Sequence, residues 1–204
     1  MKVKICGLNP LRDVQLCIDL KVDFMGFVFY HKSPRNLKLS EIKKLKSYNK
    51  KDSKFVAVTV NPSNEFIQNI VTNNFDYIQL HGSETKERVK ELKSMGLKII
   101  KTIKITNESD IIAHKNYDEA DFILFDTPGM EKSFQFPQNL ISKLPKGNRY
   151  ALAGSISQNN IKDIAKMGVT FCDLSSSLEL DKKIGYKDHQ KIKKFIDKVN
   201  EIKN

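Results

Sequence analysis

The chain is poor in cysteine, in arginine and in long apolar runs, and each shortage removes a class of protein. Its three cysteines, Cys6, Cys17 and Cys172, are odd in number and widely spaced. They form no CxxC pair, so neither a disulfide framework nor a zinc site is expected, and the thiols are read as reduced. The histidines His31, His114 and His189 show no consistent ligand spacing, and no metal or cofactor is expected. No apolar run approaches the roughly 18 residues of a membrane span, and the N-terminus turns polar too early for a signal peptide. No Pro/Gly/Ser-rich linker divides the 204 residues, which suffice for one domain over 1–204 with a sizeable core. A soluble, cytoplasmic protein is the expectation.

The formal net charge is +11 and the pI about 9.4, which raises the question of a polyanionic partner. Of the 35 basic side chains only Arg12, Arg35, Arg88 and Arg149 are arginine, and the lysines are spread along the whole chain. That distribution reads as a solvated surface that steers small anions inward, with no nucleic-acid or membrane partner. A basic nucleic-acid binder remains the contrasting reading, marked by affinity that falls steeply with salt. The chain is expected as a monomer or homodimer.

What the sequence does have is a repeat of strand and helix. Short β-rich runs recur: KVKIC, FMGFVF, KFVAVTV, YIQLH, LKIIKTI, DFILFD, RYALAG and FCDLS. Amphipathic stretches lie between them, with Pro10 near a helix start, Ser40 and Ser83 as N-caps, and Gly96 and Gly168 as helix stops. Further helices are predicted over FPQNLISKL and KDHQKIKKFIDKV. Eight repeats of roughly 25 residues predict an α/β fold, a closed parallel (β/α)₈ TIM barrel. A doubly wound open sheet is the alternative, but it favours a Gly-rich first turn, and CGLNP offers one glycine.

In a barrel the C-terminal ends of the strands carry function. Those positions hold Cys6, Tyr30 to Arg35, Asn61, His81, Asp126, Gly154 with Ser155, and Ser175 with Ser176. The last two turns follow the seventh and eighth strands, where barrels commonly bind phosphate through backbone N–H groups. Taken singly, each residue has a plainer reading. Cys6 fits a small core residue, Asp126 a turn or capping aspartate, Arg35 a surface arginine in a Pro turn, and His81 a polar network at the barrel mouth. The four apolar residues before Asp126 favour a strand-end acid.

In order and spacing, KICG, GFVFYHKSPR, YIQLHGSE, FDT, LAGSISQNNI and DLSSSLE followed by GYKD resemble the phosphoribosylanthranilate isomerase family of tryptophan biosynthesis, from about residue 2 to about residue 190. The resemblance implies a metal-free and cofactor-free Amadori rearrangement of a phosphorylated aminoaldose to a 1-deoxyribulose phosphate. It implies Asp126 as general acid, Cys6 as general base, Arg35 on the anthranilate carboxylate, and His81, Gly154, Ser155, Asp173, Ser175 and Ser176 as substrate-binding. A thiol base needs nearby positive charge to favour its thiolate, and an acid aspartate needs the opposite shift. Related phosphosugar barrels use other sets, two aspartates or lysine with glutamate, and a barrel that has lost catalysis would only bind phosphate. The chain departs from the family pattern at Glu131, Ser155 and Ser177, each at a position usually glycine, while keeping Gly129, Lys132 and Phe134.

Overall fold

All eight β-rich runs become strands, and they close on themselves. The computed structural model describes residues 1–9, 11–73, 75–127, 140 and 142–203. β1 (Lys2–Cys6), β2 (Phe24–Phe29), β3 (Lys54–Thr59), β4 (Tyr77–Leu80), β5 (Ile99–Lys104), β6 (Phe122–Asp126), β7 (Tyr150–Ala153) and β8 (Phe171–Leu174) form one parallel barrel, with β8 pairing back to β1. The open-sheet alternative is thereby excluded.

Alternation along each strand sorts residues between two cores. One face packs against the helices through Val3, Ile5, Met25, Phe27, Ile78 and their neighbours. The other fills the barrel, whose floor is a ring from the even strands: Phe24, Tyr77, Phe122 and Phe171, with centroid separations of 4.9 to 6.1 Å. Four side chains from alternate strands make one layer, as this architecture requires. Polar residues enter the interior only above that floor, so the aromatic layer seals one end and leaves the other for chemistry.

Two predicted caps are corrected. The helix Lys86–Ser94 starts at Thr85, whose side chain accepts from the Arg88 N–H, and not at Ser83. Ser83 is held by Asn61 Oδ1, and Glu84 is turned inward, so the chain cannot become helical earlier. Ser40 lies inside a 3₁₀ turn, Leu39–Glu41, that starts from Lys38, because the Glu41 carboxylate accepts the Lys38 N–H and sets the start two residues before Ser40. Gly96 and Gly168 take φ of +82° and +72° just past their helices, as expected of stops. Pro10 and most of FPQNLISKL lie outside the described residues.

A feature absent from the sequence reading is a hairpin after β8, formed by β9 (Glu179–Leu180) and β10 (Lys183–Lys187). It precedes the final helix, His189–Lys203.

Candidate active site

The C-terminal strand ends surround a cavity of about 940 Å³. Every site residue expected from the sequence lines it: Cys6, Arg35, His81, Asp126, Gly154, Ser155, Asp173, Ser175 and Ser176. Gly129, Glu131, Lys132 and Phe134, by contrast, lie outside the described residues.

Cys6 ends β1 with its side chain inside the barrel, and the glycine behind it serves two purposes. Gly7 takes φ +76°, turning the chain as the strand ends. A Cβ there would also lie 2.6 Å from Arg35 Cδ, so the missing side chain is the slot in which Arg35 crosses. Opposite Cys6 on β2 stands Gly26, where a Cβ would come within 3.1 Å of both Cys6 Sγ and Lys4 Nζ. Lys4, fully buried, pairs with Asp173 at 2.8 Å. Burial pushes the Cys6 thiol up, and Asp173 adds to it, while Lys4, Lys187 and Arg35 pull it down. The positive charge sought for a thiolate is present, yet desolvation prevails and the resting form is the thiol.

Arg35 is placed by the hairpin. Its Nε and Nη2 donate to Glu179 Oε1 and Oε2 at 2.6 and 2.8 Å, and Gly185 of β10 packs on the Pro34 carbonyl. Burial opposes the Glu179 charge, but Arg35 and Lys187 outweigh it and hold the carboxyl below its ordinary range. Lys187, also buried, donates to Glu179 Oε1 at 3.2 Å and to the Ser175 carbonyl at 3.0 Å. One edge of the Arg35 guanidinium is thus spent within the protein, and among the described residues the Nη1 donors have no partner and remain for a ligand.

Across the cavity, Asp126 ends β6 with Oδ2 3.4 Å from His81 Nε2. Gln79 Nε2 lies 3.2 Å from His81 Nδ1 and donates to Thr102 Oγ1 at 3.0 Å, and a neutral His81 that accepts from it carries its proton on Nε2, facing Asp126. The turn carrying His81 is fixed from below. Buried Glu84 accepts from the Asn61 and Gly82 N–H groups at 2.8 and 3.1 Å and from Lys101 Nζ at 2.7 Å.

Between β7 and β8 the two turns face each other. A Cβ at Gly154 would collide with the Thr127 hydroxyl and carbonyl, so only glycine fits at its φ of +92°. Ser155 follows at φ +47°, the left-handed region in which glycine is at ease and serine is strained. Serine has kept the backbone shape at a conformational cost. Ser155→Gly is therefore expected to raise the melting temperature by about 1–2 °C, since relief of the left-handed strain exceeds the added chain entropy. A lower melting temperature in thermal denaturation would contradict this.

Several contributors escaped the sequence reading: Lys4, Gly26, Gln79, Glu84, Lys101, Glu179 and Lys187. Lys4 had a signal in KVKIC, where a lysine shares the inward phase of Cys6. Glu84, Glu179 and Lys187 sit within YIQLHGSE, DLSSSLE and GYKD.

The comparisons with known proteins meet this geometry. The family model described as N-(5'phosphoribosyl)anthranilate (PRA) isomerase matches residues 3–198. The chain belongs to the phosphoribosylanthranilate isomerase family. A Petrotoga mobilis N-(5'-phosphoribosyl)anthranilate isomerase is 34% identical over 210 residues, covering 100% of this chain and 99% of the relative. The phosphoribosyl anthranilate isomerase of Thermotoga maritima superposes with TM-score 0.85 at 27% identity, over 98% of this chain and 99% of its own. Another phosphoribosyl anthranilate isomerase, at TM-score 0.82 and 26% identity over 98% and 99%, is in complex with reduced 1-(o-carboxyphenylamino)-1-deoxyribulose 5-phosphate. As a phosphoribosylanthranilate isomerase, the protein is an aldose–ketose isomerase of tryptophan biosynthesis.

Proposed function

We propose that Cys6 and Asp126 carry this isomerisation as base and acid on a substrate held between β1 and β6. The observation that carries the reading is that one cavity gathers an acid, a thiol, a guanidinium with open donors and two small-residue turns. Asp126 gives a proton to the furanose ring oxygen as the C1–O bond breaks, leaving an iminium at C1. The Cys6 thiolate takes the C2 proton. The C–H electron pair becomes the C1=C2 bond and the iminium nitrogen regains its lone pair. The enolamine then gains a proton at C1 and loses one from the C2 hydroxyl, giving the ketose.

The other residues bind. The phosphate lies between the Gly154–Ser155 turn and Ser175–Ser176, and the anthranilate carboxylate takes the open Nη1 donors of Arg35. Asp173 Oδ1 is buried and has no partner among the described residues, so it is assigned to a ribosyl hydroxyl. His81 orients Asp126. The ligand of the related complex, a phosphorylated sugar with an aromatic carboxylate, has all the groups these sites would hold.

Arg35→Ala is expected to raise KM by about 10- to 100-fold with a smaller change in kcat, the loss of a charge-assisted bidentate contact. Glu179→Gln should raise KM less, by loosening the same guanidinium. Steady-state kinetics checks both, and an unchanged KM for Arg35→Ala removes the carboxylate contact.

The protein is further proposed to work as a single unit over 1–204, as a monomer or homodimer in the cytoplasm, on a small phosphorylated substrate without nucleic acid. One structural relative, from Thermotoga maritima, is described as dimeric. Among the described residues no helix is long and apolar enough to cross a membrane. The test of the reading is complementation: a bacterium lacking its own isomerase should grow without tryptophan when given this chain, and not when given Cys6→Ser. Equal growth with both would remove Cys6 from the mechanism.

A further inference from the structure

The mechanism above leaves the fully buried ammonium of Lys4 without a task. Lys4 projects into the barrel two residues before Cys6, and β1–β8 register sets it directly opposite Asp173. Its ammonium lies 2.8 Å from Asp173 Oδ2, while Asp173 Oδ1 has no partner among the described residues. Gly26 leaves empty the volume that a Cβ would share with both Lys4 Nζ and Cys6 Sγ, at 3.1 Å from each. A side chain at that position would press on both groups, and its absence leaves them facing one shared space.

The charges about Cys6 have a simple sum. From β1 comes Lys4, from β8 Asp173, from the loop after β2 Arg35, and from the hairpin Glu179 and Lys187. Those are three cations against two carboxylates. Arg35, Lys187 and Glu179 form one connected group, and Lys4 with Asp173 the other. A neutral thiol leaves one positive charge unbalanced in a desolvated site, and a thiolate balances it. Asp126 and His81 face Asp173 across the cavity: burial and the Asp126 charge push the Asp173 carboxyl up, while Lys4 and His81 pull it down.

We infer that Lys4 is the counter-ion of the Cys6 thiolate, shared between Asp173 and the sulfur, and that it positions and stabilises the base without touching substrate. This rests on Cys6 being the base. Asp173 then has two opposed effects: it anchors the ammonium beside the sulfur, and its negative charge resists the thiolate. When the thiolate takes the C2 proton, the ammonium returns fully to Asp173, so charge shifts within the cluster without any group leaving the barrel. Burial alone would lower the Lys4 affinity for its proton, but Asp173 and Cys6 reverse that and keep it charged.

The test is the pH dependence of Cys6 alkylation by iodoacetamide, read from the mass of the Cys6 peptide. Cys17 and Cys172 are buried and their thiols are pushed up to about 12, so they stay silent. Lys4→Met should move the Cys6 midpoint up by about one to two pH units, and Asp173→Asn should move it down. General loosening of the barrel would admit water and move both down, so the opposed directions are diagnostic. Lys4→Met should also lower kcat at least about 10-fold, with KM changed far less.

Where Lys4→Met does not fold, Lys4→Met/Asp173→Asn removes both charges and should still titrate above wild type, since Lys4 acts on the sulfur more strongly than Asp173 does. A midpoint at or below that of wild type in the Lys4 variants would overturn the inference. The titration needs no turnover, so a wild type unable to isomerise its substrate would sink the mechanism while the Lys4–Cys6 coupling is judged separately.

Discussion

Replacing Cys6 with serine is expected to lower kcat by about 10²- to 10⁴-fold while leaving KM within a few fold, the signature of a lost proton acceptor. Serine nearly preserves the shape, so the β1 turn, the Arg35 slot across Gly7 and the Ser175 hydroxyl bond to the Cys6 carbonyl at 3.2 Å should all persist. What changes is basicity. A serine hydroxyl beside Lys4 does not ionise in the accessible pH range, whereas the thiol does. Because burial holds the thiol above the ordinary cysteine value of about 8.5, the thiolate is a minor form at neutral pH and is strongly basic once formed. The sign follows directly: the reactive form is the deprotonated one, so on an open-chain substrate, which does not need Asp126 as acid, kcat should climb with pH through neutrality and level off only above that ordinary value. Steady-state rates across pH check this, and a flat profile, or a serine variant with near-wild-type kcat, would contradict the role.

Asp126→Asn is expected to be as damaging, again about 10²- to 10⁴-fold in kcat, but through ring opening. The carboxyl stands at the last residue of β6, with His81 Nε2 at 3.4 Å, and an amide can occupy the same place while delivering no proton to the ring oxygen. The two losses separate experimentally. A substrate analogue already in the open-chain form bypasses the acid, so both variants should bind it, while its enolisation should survive in Asp126→Asn and fail in Cys6→Ser. Equal failure of both variants on that analogue would place Asp126 in binding and not in acid catalysis. His81→Asn should fall between, because Asp126 keeps its proton-bearing group but loses the neighbour that orients it.

How far the sequence could be read depended on whether a feature was local. The strands were legible because each is a short apolar run with its turn residues adjacent, and all eight were found within a residue or two. Eight of the nine candidate residues lie at strand ends or just beyond them, which barrel topology sends to one face, and Asp173 came with the family resemblance; all nine line the cavity. The Arg35 clamp was not, since Glu179 lies 144 residues away and its strand is only two residues long. Lys4 is harder to read: it shares the phase of Cys6, but a lysine inside a strand is ordinarily an outward residue, and the register with Asp173 supplies the partner that lets it face in. Ser83 has the chemistry of a cap and is not one because Asn61 claims it first. Substitution of glycine by serine at 155 was visible as a departure, but that serine would adopt the glycine backbone, at φ +47°, was a property of the turn and not of the letters.

The most direct measurement is turnover of freshly generated N-(5-phosphoribosyl)anthranilate by the wild-type chain, followed as loss of the substrate's fluorescence. The account predicts rapid saturable conversion that stops when Cys6 is alkylated and is unaffected by a metal chelator. Absence of conversion by folded protein, or conversion that persists after complete alkylation of Cys6, would contradict it.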